Sequence, residues 1–340
     1  MFKRILVPLD GSALAEQALP TAARLARASG SCVILLRVVS PPVEYSNGAA
    51  YMIYTPTNVL EEVIEADQAD ARRYLEGIAA SHVLEGIHTQ LEVHTGRAAP
   101  MIFAMTDAQH IDVIVLSSHG RTGFKRWFLG SVAQKVIRHS SVPVLLLRKR
   151  EGSTAALYPY IERPLRVLVP LDGSMIAKAA LVPAINMIAA LAAPGQGAIH
   201  LVRVVKLDTL PGEVLDSETK ERILHKAKTY LQSVAGHLHE GLAAQLKVAV
   251  TWSVVLGGDA AISILRVAEN GEDAEGAGVF GGCDVIALST HGRGGLQRWA
   301  MGSVTERVLS GTRLPVLIVE PQHMEHEASE AKIPHADMQV

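Results

Sequence analysis

The chain has 340 residues, 49% hydrophobic and 19% charged, enough apolar material for two buried cores. A net charge of −2 gives no basic footprint for nucleic acid, and the two cysteines, Cys32 and Cys283, fit neither a disulfide framework nor a zinc spacing. The longest apolar candidate for a bilayer span, Ala177 to Ala193, is interrupted by Lys178, Pro183 and Asn186, and the N-terminal apolar run breaks at Pro8 and Asp10, so the chain reads as a cytoplasmic protein without membrane or nucleic-acid partners.

Elements follow in a regular alternation. A buried strand over Arg4–Leu9 leads through Asp10-Gly11-Ser12 into a helix over Ala13–Ser29, whose Leu14, Ala18, Leu25 and Ala26 form an apolar stripe. Cys32–Val39 is apolar except at Arg37, as expected of a strand covered on both faces. A loop over Ser40–Asn58 carries Tyr45, Tyr51 and Tyr54, read either as a lid or as a packing surface. A long helix over Val59–Ser81, a strand over Thr89–Thr95, a helix after Gly96 and a strand over Val113–Ser117 come next. A glycine-rich loop, a helix over Ser131–His139 and a strand over Val142–Arg148 complete the first half.

Lys149–Pro164 has the mixed composition of a linker, and the second half repeats the order. Its strands are expected over Arg166–Leu171, Ala198–Val205, Lys247–Ser253, Val285–Ser289 and Leu314–Glu320. An insert rich in glycine and acids, Asn270–Gly282, reads as a flexible surface loop, and the polar residues 321–340, with His323, His326 and His335, read as a solvated tail. The alternation implies two tandem doubly wound α/β domains, 1–148 and 165–320 about a 149–164 linker, each a five-stranded parallel sheet flanked by helices in the Rossmann-like manner.

The strongest signal is internal repetition. ILVPLDGS at 5–12 returns as VLVPLDGS at 167–174, and SSHGRTGFKRWFLGSV at 117–132 returns as STHGRGGLQRWAMGSV at 289–304. Each loop starts where an apolar strand ends and closes with Gly-Ser-Val at the opening of a helix. A helix N-terminus presents unpaired N–H groups and partial positive charge, glycine allows close backbone approach, and a serine at the N-cap adds a hydroxyl. Together these suit a phosphate; a turn followed by a cap is the plainer reading, which the doubling weakens. Neither GxxxxGK[ST] nor GxGxxG occurs, so the equipment of a fast NTPase is missing.

On these residues the chain resembles a tandem universal stress protein. The family's markers are an opening strand ending in VPxDGS and a loop of Gly, two residues, Gly, nine residues, Gly, then Ser or Thr; both halves carry both markers. The resemblance implies the same fold and a nucleotide lying across the carboxyl ends of the strands. It implies ATP, or ADP or AMP, with magnesium as the accompanying ion. By position, Pro8, Asp10, Val38, Ser117, Gly120, Gly130, Ser131 and Val132 would form the first site. Pro170, Asp172, Val204, Ser289, Gly292, Gly302, Ser303 and Val304 would form the second. Within these, Asp10 and Asp172 would meet the ribose and phosphates and Val38 and Val204 the adenine. One departure stands out: the family's first loop glycine is Ser117 in one half and Ser289 in the other.

Other residues keep two readings. Asp10 and Asp172 are Asx-turn residues or nucleotide contacts. His119 and His291 are structural donors or titrating groups, Arg121 and Arg293 phosphate contacts or solvated charges, and Trp127 and Trp299 loop anchors or stacking rings. No catalytic set is identifiable. The last strand of each half is expected to pair with the other in an internal pseudo-dimer, and a homodimer is also open. The functional expectation is a nucleotide-binding stress regulator; the alternatives are a nucleotide-independent adaptor and a slow ATPase or nucleotide-dependent transferase.

Overall fold

The computed structural model describes residues 1–40, 45–46, 49–50, 57–118, 129–148, 164–206, 216–290 and 301–321, with side chains from 61 onward after the first gap. Ten strands form one sheet. The first half contributes β1 (Arg4–Leu9), β2 (Cys32–Val39), β3 (Thr89–Thr95), β4 (Val113–Ser117) and β5 (Val144–Leu147). The second contributes β6 (Leu165–Pro170), β7 (Gly197–Val205), β8 (Ala249–Leu256), β9 (Val285–Ser289) and β10 (Val316–Val319). Across the sheet the order is β8-β7-β6-β9-β10-β5-β4-β1-β2-β3. Each half is all-parallel, with its first strand between the second and fourth, so the chain reverses direction across the sheet beside β1 and β6. A crevice at such a switch point, beyond the carboxyl ends of the strands, is where open α/β sheets hold ligands.

The halves join through their last strands. β10 pairs antiparallel with β5, matching Val316 to Leu146, Leu317 to Leu145 and Ile318 to Val144. These residues are at most 1% exposed, so the junction is continuous core. One apolar layer on each face of the sheet runs through both halves. Near the junction Arg138 and Glu306, both part-exposed, approach to 3.7 Å.

The helices are α1 (Ala13–Glu16), α2 (Leu19–Ser29), α3 (Thr57–Ala79), α4 (Ala98–Ala108) and α5 (Ser131–His139). The second half continues with α6 (Met175–Lys178), α7 (Leu181–Ala192), α8 (Ser217–Glu240), α9 (Leu242–Gln245), α10 (Ala260–Asn270) and α11 (Ser303–Gly311). The helix expected over Ala13–Ser29 is therefore two pieces. Pro20 sits in the first turn of α2, where a missing N–H costs nothing, and the chain restarts its helix there. Met175–Ala192 has a mean hydropathy of 1.8, enough for a bilayer span by length and composition. It is instead broken between α6 and α7, and Ala180, Ala184, Ile185, Ile188 and Leu191 are fully buried against the sheet and α2.

The insert departs from expectation. Glu272–Ala274 and Gly278–Phe280 form an antiparallel hairpin, and the Glu275 N–H donates to the Trp252 carbonyl of edge strand β8 at 3.0 Å. Phe280 is 9% exposed, its ring centroid 4.3 Å from that of His200 and 4.2 Å from the Arg166 guanidinium carbon on β6. His200 is fully buried, with Nδ1 2.9 Å from the Thr251 hydroxyl and Nε2 2.9 Å from that of Ser253. The segment is at the surface, with Asp273 and residues 275–279 exposed, but it is an ordered hairpin anchored to the core by Ala274 and Phe280 and to the sheet edge by one backbone hydrogen bond. The linker residues 149–163 and the tail from 322 onward lie outside the described residues, as do Tyr51 and Tyr54.

Candidate functional site

Each half builds the same turn at the carboxyl end of its first strand. Asp10 Oδ1 accepts from the Ser12 N–H at 3.0 Å and from its hydroxyl at 2.5 Å, and Ser12 Oγ in turn accepts from the Ala15 N–H at 3.2 Å, capping α1. Asp172 repeats this with Ser174 at 2.8 and 2.6 Å, and Ser174 caps α6 through the Ala177 N–H at 3.2 Å. The glycine between has φ of 81° at Gly11 and 92° at Gly173, a conformation that side-chain-bearing residues resist. The Asx-turn reading of both aspartates is thus a structural fact. Pro8 lies one residue before the end of β1 and Pro170 ends β6, both half-buried.

The second component is the loop's far end. Gly130 is the N-cap of α5 and Gly302 that of α11, with nearly identical dihedrals of −59°, 148° and −58°, 139°. Ser131 and Ser303 are therefore the first helical residues, not the N-caps their sequence position suggested, and neither helix has a side-chain cap. Among the described residues no side chain caps either helix start, which is the condition an anion-binding N-terminus requires. Ser131, Ser303 and Val132 are exposed there, with Val304 half-buried.

A backbone ladder fixes each N-terminus to the sheet. The Gly130 N–H donates to the Ser118 carbonyl at 2.8 Å, and the Ser118 N–H to the Leu147 carbonyl at 2.8 Å. In the second half the Gly302 N–H donates to Thr290 at 2.8 Å and the Thr290 N–H to Val319 at 2.9 Å. Ser117 ends β4 half-buried, while Ser289 is 7% exposed with its carbonyl accepting from the Thr305 hydroxyl at 2.9 Å. Val38 and Val204, half-buried near the ends of β2 and β7, complete the described part of each site. Gly120 and Gly292 lie outside the described residues, with His119, His291, Arg121, Arg293, Trp127 and Trp299.

Beneath the turns lies a polar shell that sequence reading passed over. Arg37, at the end of β2, sits against Gly11, its Nη2 3.4 Å from where a Cβ would stand, and its Nη1 donates to the Leu9 carbonyl at 3.4 Å. Its guanidinium carbon is 5.9 Å from the Tyr74 ring centroid, and the Tyr74 hydroxyl donates to Glu16 Oε1 at 2.9 Å. In the second half Arg203 lies 4.9 Å from the Tyr230 centroid, but Lys178 replaces the carboxylate, 5.3 Å from the same ring. The available signal was the arginine in each second strand, the one charged residue in CVILLRVV and, beside His200, in GAIHLVRVV.

A surface cleft of 580 Å³ near Arg24, His82 and Pro194 lies away from these strand ends, and Arg27 within it is engaged with the Val83 and Glu85 carbonyls. No cluster of three metal-ligating side chains occurs among the described residues.

Comparison with known proteins agrees with this architecture. The sequence profile of the Universal stress protein family matches residues 1–148 and 165–320. The chain is similar to Universal stress protein Slr1230 of Synechocystis, 24% identical over 332 residues, covering 93% of this chain and 99% of that one. Universal stress protein YxiE of Bacillus subtilis is 28% identical over 148 residues, 44% of this chain and all of that one. Among solved structures, a universal stress protein from Archaeoglobus fulgidus superposes with a TM-score of 0.57 at 20% identity, covering 93% of this chain and 96% of that one, a likeness of fold.

Proposed function

The chain belongs to the universal stress protein family, and from that premise we propose that each half binds an adenine nucleotide, ATP foremost, and that the protein acts in the cytoplasm as a nucleotide-dependent regulator rather than a fast catalyst. One observation carries the reading: two helix N-termini without side-chain caps, each tied by the same ladder to its sheet and placed beyond the strand ends, at Gly130 and Gly302. The donor set fits the group. Helix-start N–H groups and serine hydroxyls would hold phosphate oxygens, and the ends of β2 and β7 would receive the base through their backbones. Magnesium, when bound with the nucleotide, would neutralise phosphate charge. No lysine of the GxxxxGK[ST] kind stands in either loop, which argues for slow turnover at most.

The test is equilibrium titration of the full chain with ATP. Binding that disappears in a folded Gly130→Val plus Gly302→Val double variant supports the proposal, since a β-branched side chain there crowds the helix entry. Absence of binding at millimolar ATP overturns it and leaves the adaptor reading in place.

A further inference from the structure

The sheet ends at β3 in the first half and at β8 in the second. The Val33 N–H donates to the His88 carbonyl at 2.9 Å, and the Gly96 N–H to the Val39 carbonyl at 2.9 Å. In a parallel pair this alternation turns the main-chain groups of Gln90, Glu92 and His94 toward β2. The N–H and C=O groups of Thr89, Leu91, Val93 and Thr95 therefore point outward along the edge. Every residue of β3 is half-buried, and among the described residues no further strand pairs with it. The strand also carries no proline or lysine, the usual deterrents to edge pairing. The other edge shows what such a strand accepts. Leu91 holds the place of Trp252: their register partners, Leu35 and Leu201, face Val7 and Val169, the same position of the repeated segment. The Trp252 carbonyl takes the Glu275 N–H of the chain's own hairpin at 3.0 Å. The first half has no such hairpin, because α4 passes to β4 through residues 109–112.

We propose that β3 is a self-association edge, pairing antiparallel with β3 of a second copy of this chain about a twofold axis at Val93. In that register Val93 meets its own counterpart and Leu91 meets Thr95 of the partner subunit, joined by about six main-chain hydrogen bonds. The side chains between them select the register. Glu92 lies opposite His94 of the partner subunit, a carboxylate facing an imidazole donor. An axis at Glu92 would set two carboxylates face to face, which is destabilising. An axis at Leu91 would oppose Glu92 to neutral Gln90 and His94 to His88. Within one chain His94 Nε2 lies 3.2 Å from Glu92 Oε2, and the Gln90 amide donates to Glu92 Oε1 at 2.9 Å, so these side chains already share one face of the edge. Both copies use the same strand, so association closes at two. A seam of this size associates weakly and reversibly, where concentration shifts the population. The pairing requires no nucleotide and leaves the strand ends of both halves open.

The experiment is sedimentation equilibrium of the full chain from micromolar to millimolar concentration, with amide exchange followed by NMR at both ends of that range. The mass should rise toward twice that of one chain. Exchange at the Leu91, Val93 and Thr95 amides should slow with concentration, while the Gln90, Glu92 and His94 amides, already bonded to β2, should not change. His94→Glu should weaken association about tenfold, because two symmetric cross-strand pairs each turn from attraction to repulsion. Glu92→Lys combined with His94→Glu reverses both charges and should restore it. Thermal melts of each variant at the dilute end separate loss of pairing from loss of fold, and the exchange pattern of the unaltered protein needs no variant at all. A chain that stays monomeric throughout overturns the proposal. So does a dimer whose Leu91, Val93 and Thr95 amides exchange as fast as in the monomer, or one that a folded His94→Glu variant leaves intact.

Discussion

The Tyr74 hydroxyl donates to the Glu16 carboxylate at 2.9 Å, tying the long helix α3 to the short helix that opens the first site. Burial, then the hydrogen bond to Glu16 and its charge, push the Tyr74 pKa well above the usual phenol value. The phenol is thus held neutral in the folded chain. The stability this shift contributes is complete below the unfolded value near 10 and is lost as pH rises through the higher folded value. Tyr74→Phe should cost about 1 kcal/mol in denaturant unfolding at pH 7. The folded-minus-unfolded difference in ultraviolet titration near pH 10 should shrink by one tyrosine in Tyr74→Phe.

Asp10 offers a separation of scaffold from ligand contact. Asp10→Asn keeps an oxygen for the Ser12 N–H and should leave stability within about 0.5 kcal/mol. Asp10→Ala removes the turn and should cost about 1 kcal/mol or more. If nucleotide binding weakens in both variants while only the alanine form melts earlier, the carboxylate has a role beyond the turn. Equal loss of stability in both would confine it to the scaffold.

His200 makes the second half sensitive to acid. Burial, with the Arg166 charge adding to it, lowers its pKa to about 3. The unfolded state, with an ordinary value near 6.5, binds the proton first, so stability is complete above pH 6.5 and falls as pH drops toward 3. The groups facing the ring include Thr251, Ser253, Phe280 and Arg166, with no carboxylate among these to hold a charged imidazole. Denaturant melts across that range should lose part of their pH slope in His200→Gln.

Phe280 anchors the insert. Phe280→Ala should cost about 3 kcal/mol, as deletion of a buried ring does. Hydrogen exchange should rise across residues 272–280 and around His200, while β1 and β2 of the other half keep their protection.

Much of this architecture was legible because the chain states it twice. β1, β2, β3, β4 and β9 fall where apolar runs bounded by Gly, Asp or Ser put them. The hairpin was not legible, because Glu272, Asp273 and Glu275 dominate its composition while Ala274 and Phe280 alone carry its burial. The N-cap moved by one residue, since serine is the commoner cap and only the backbone angles at Gly130 and Gly302 reveal that glycine takes the place. The shell of Arg37, Tyr74 and Glu16 escaped because its members are 21 and 37 residues apart and meet only when α3 packs on β2.

The antiparallel seam between β5 and β10 has a geometric consequence. With every strand of one half running against every strand of the other, the two carboxyl edges open in opposite directions. A ligand in one mouth cannot reach the other, and no single small molecule can bridge them. Whatever passes between the two must travel through the body of the protein: the four-residue strands of the seam and the Arg138–Glu306 contact beside them. Because one polypeptide carries both halves, the back-to-back arrangement survives any dilution, which two separate chains joined at the same seam would not.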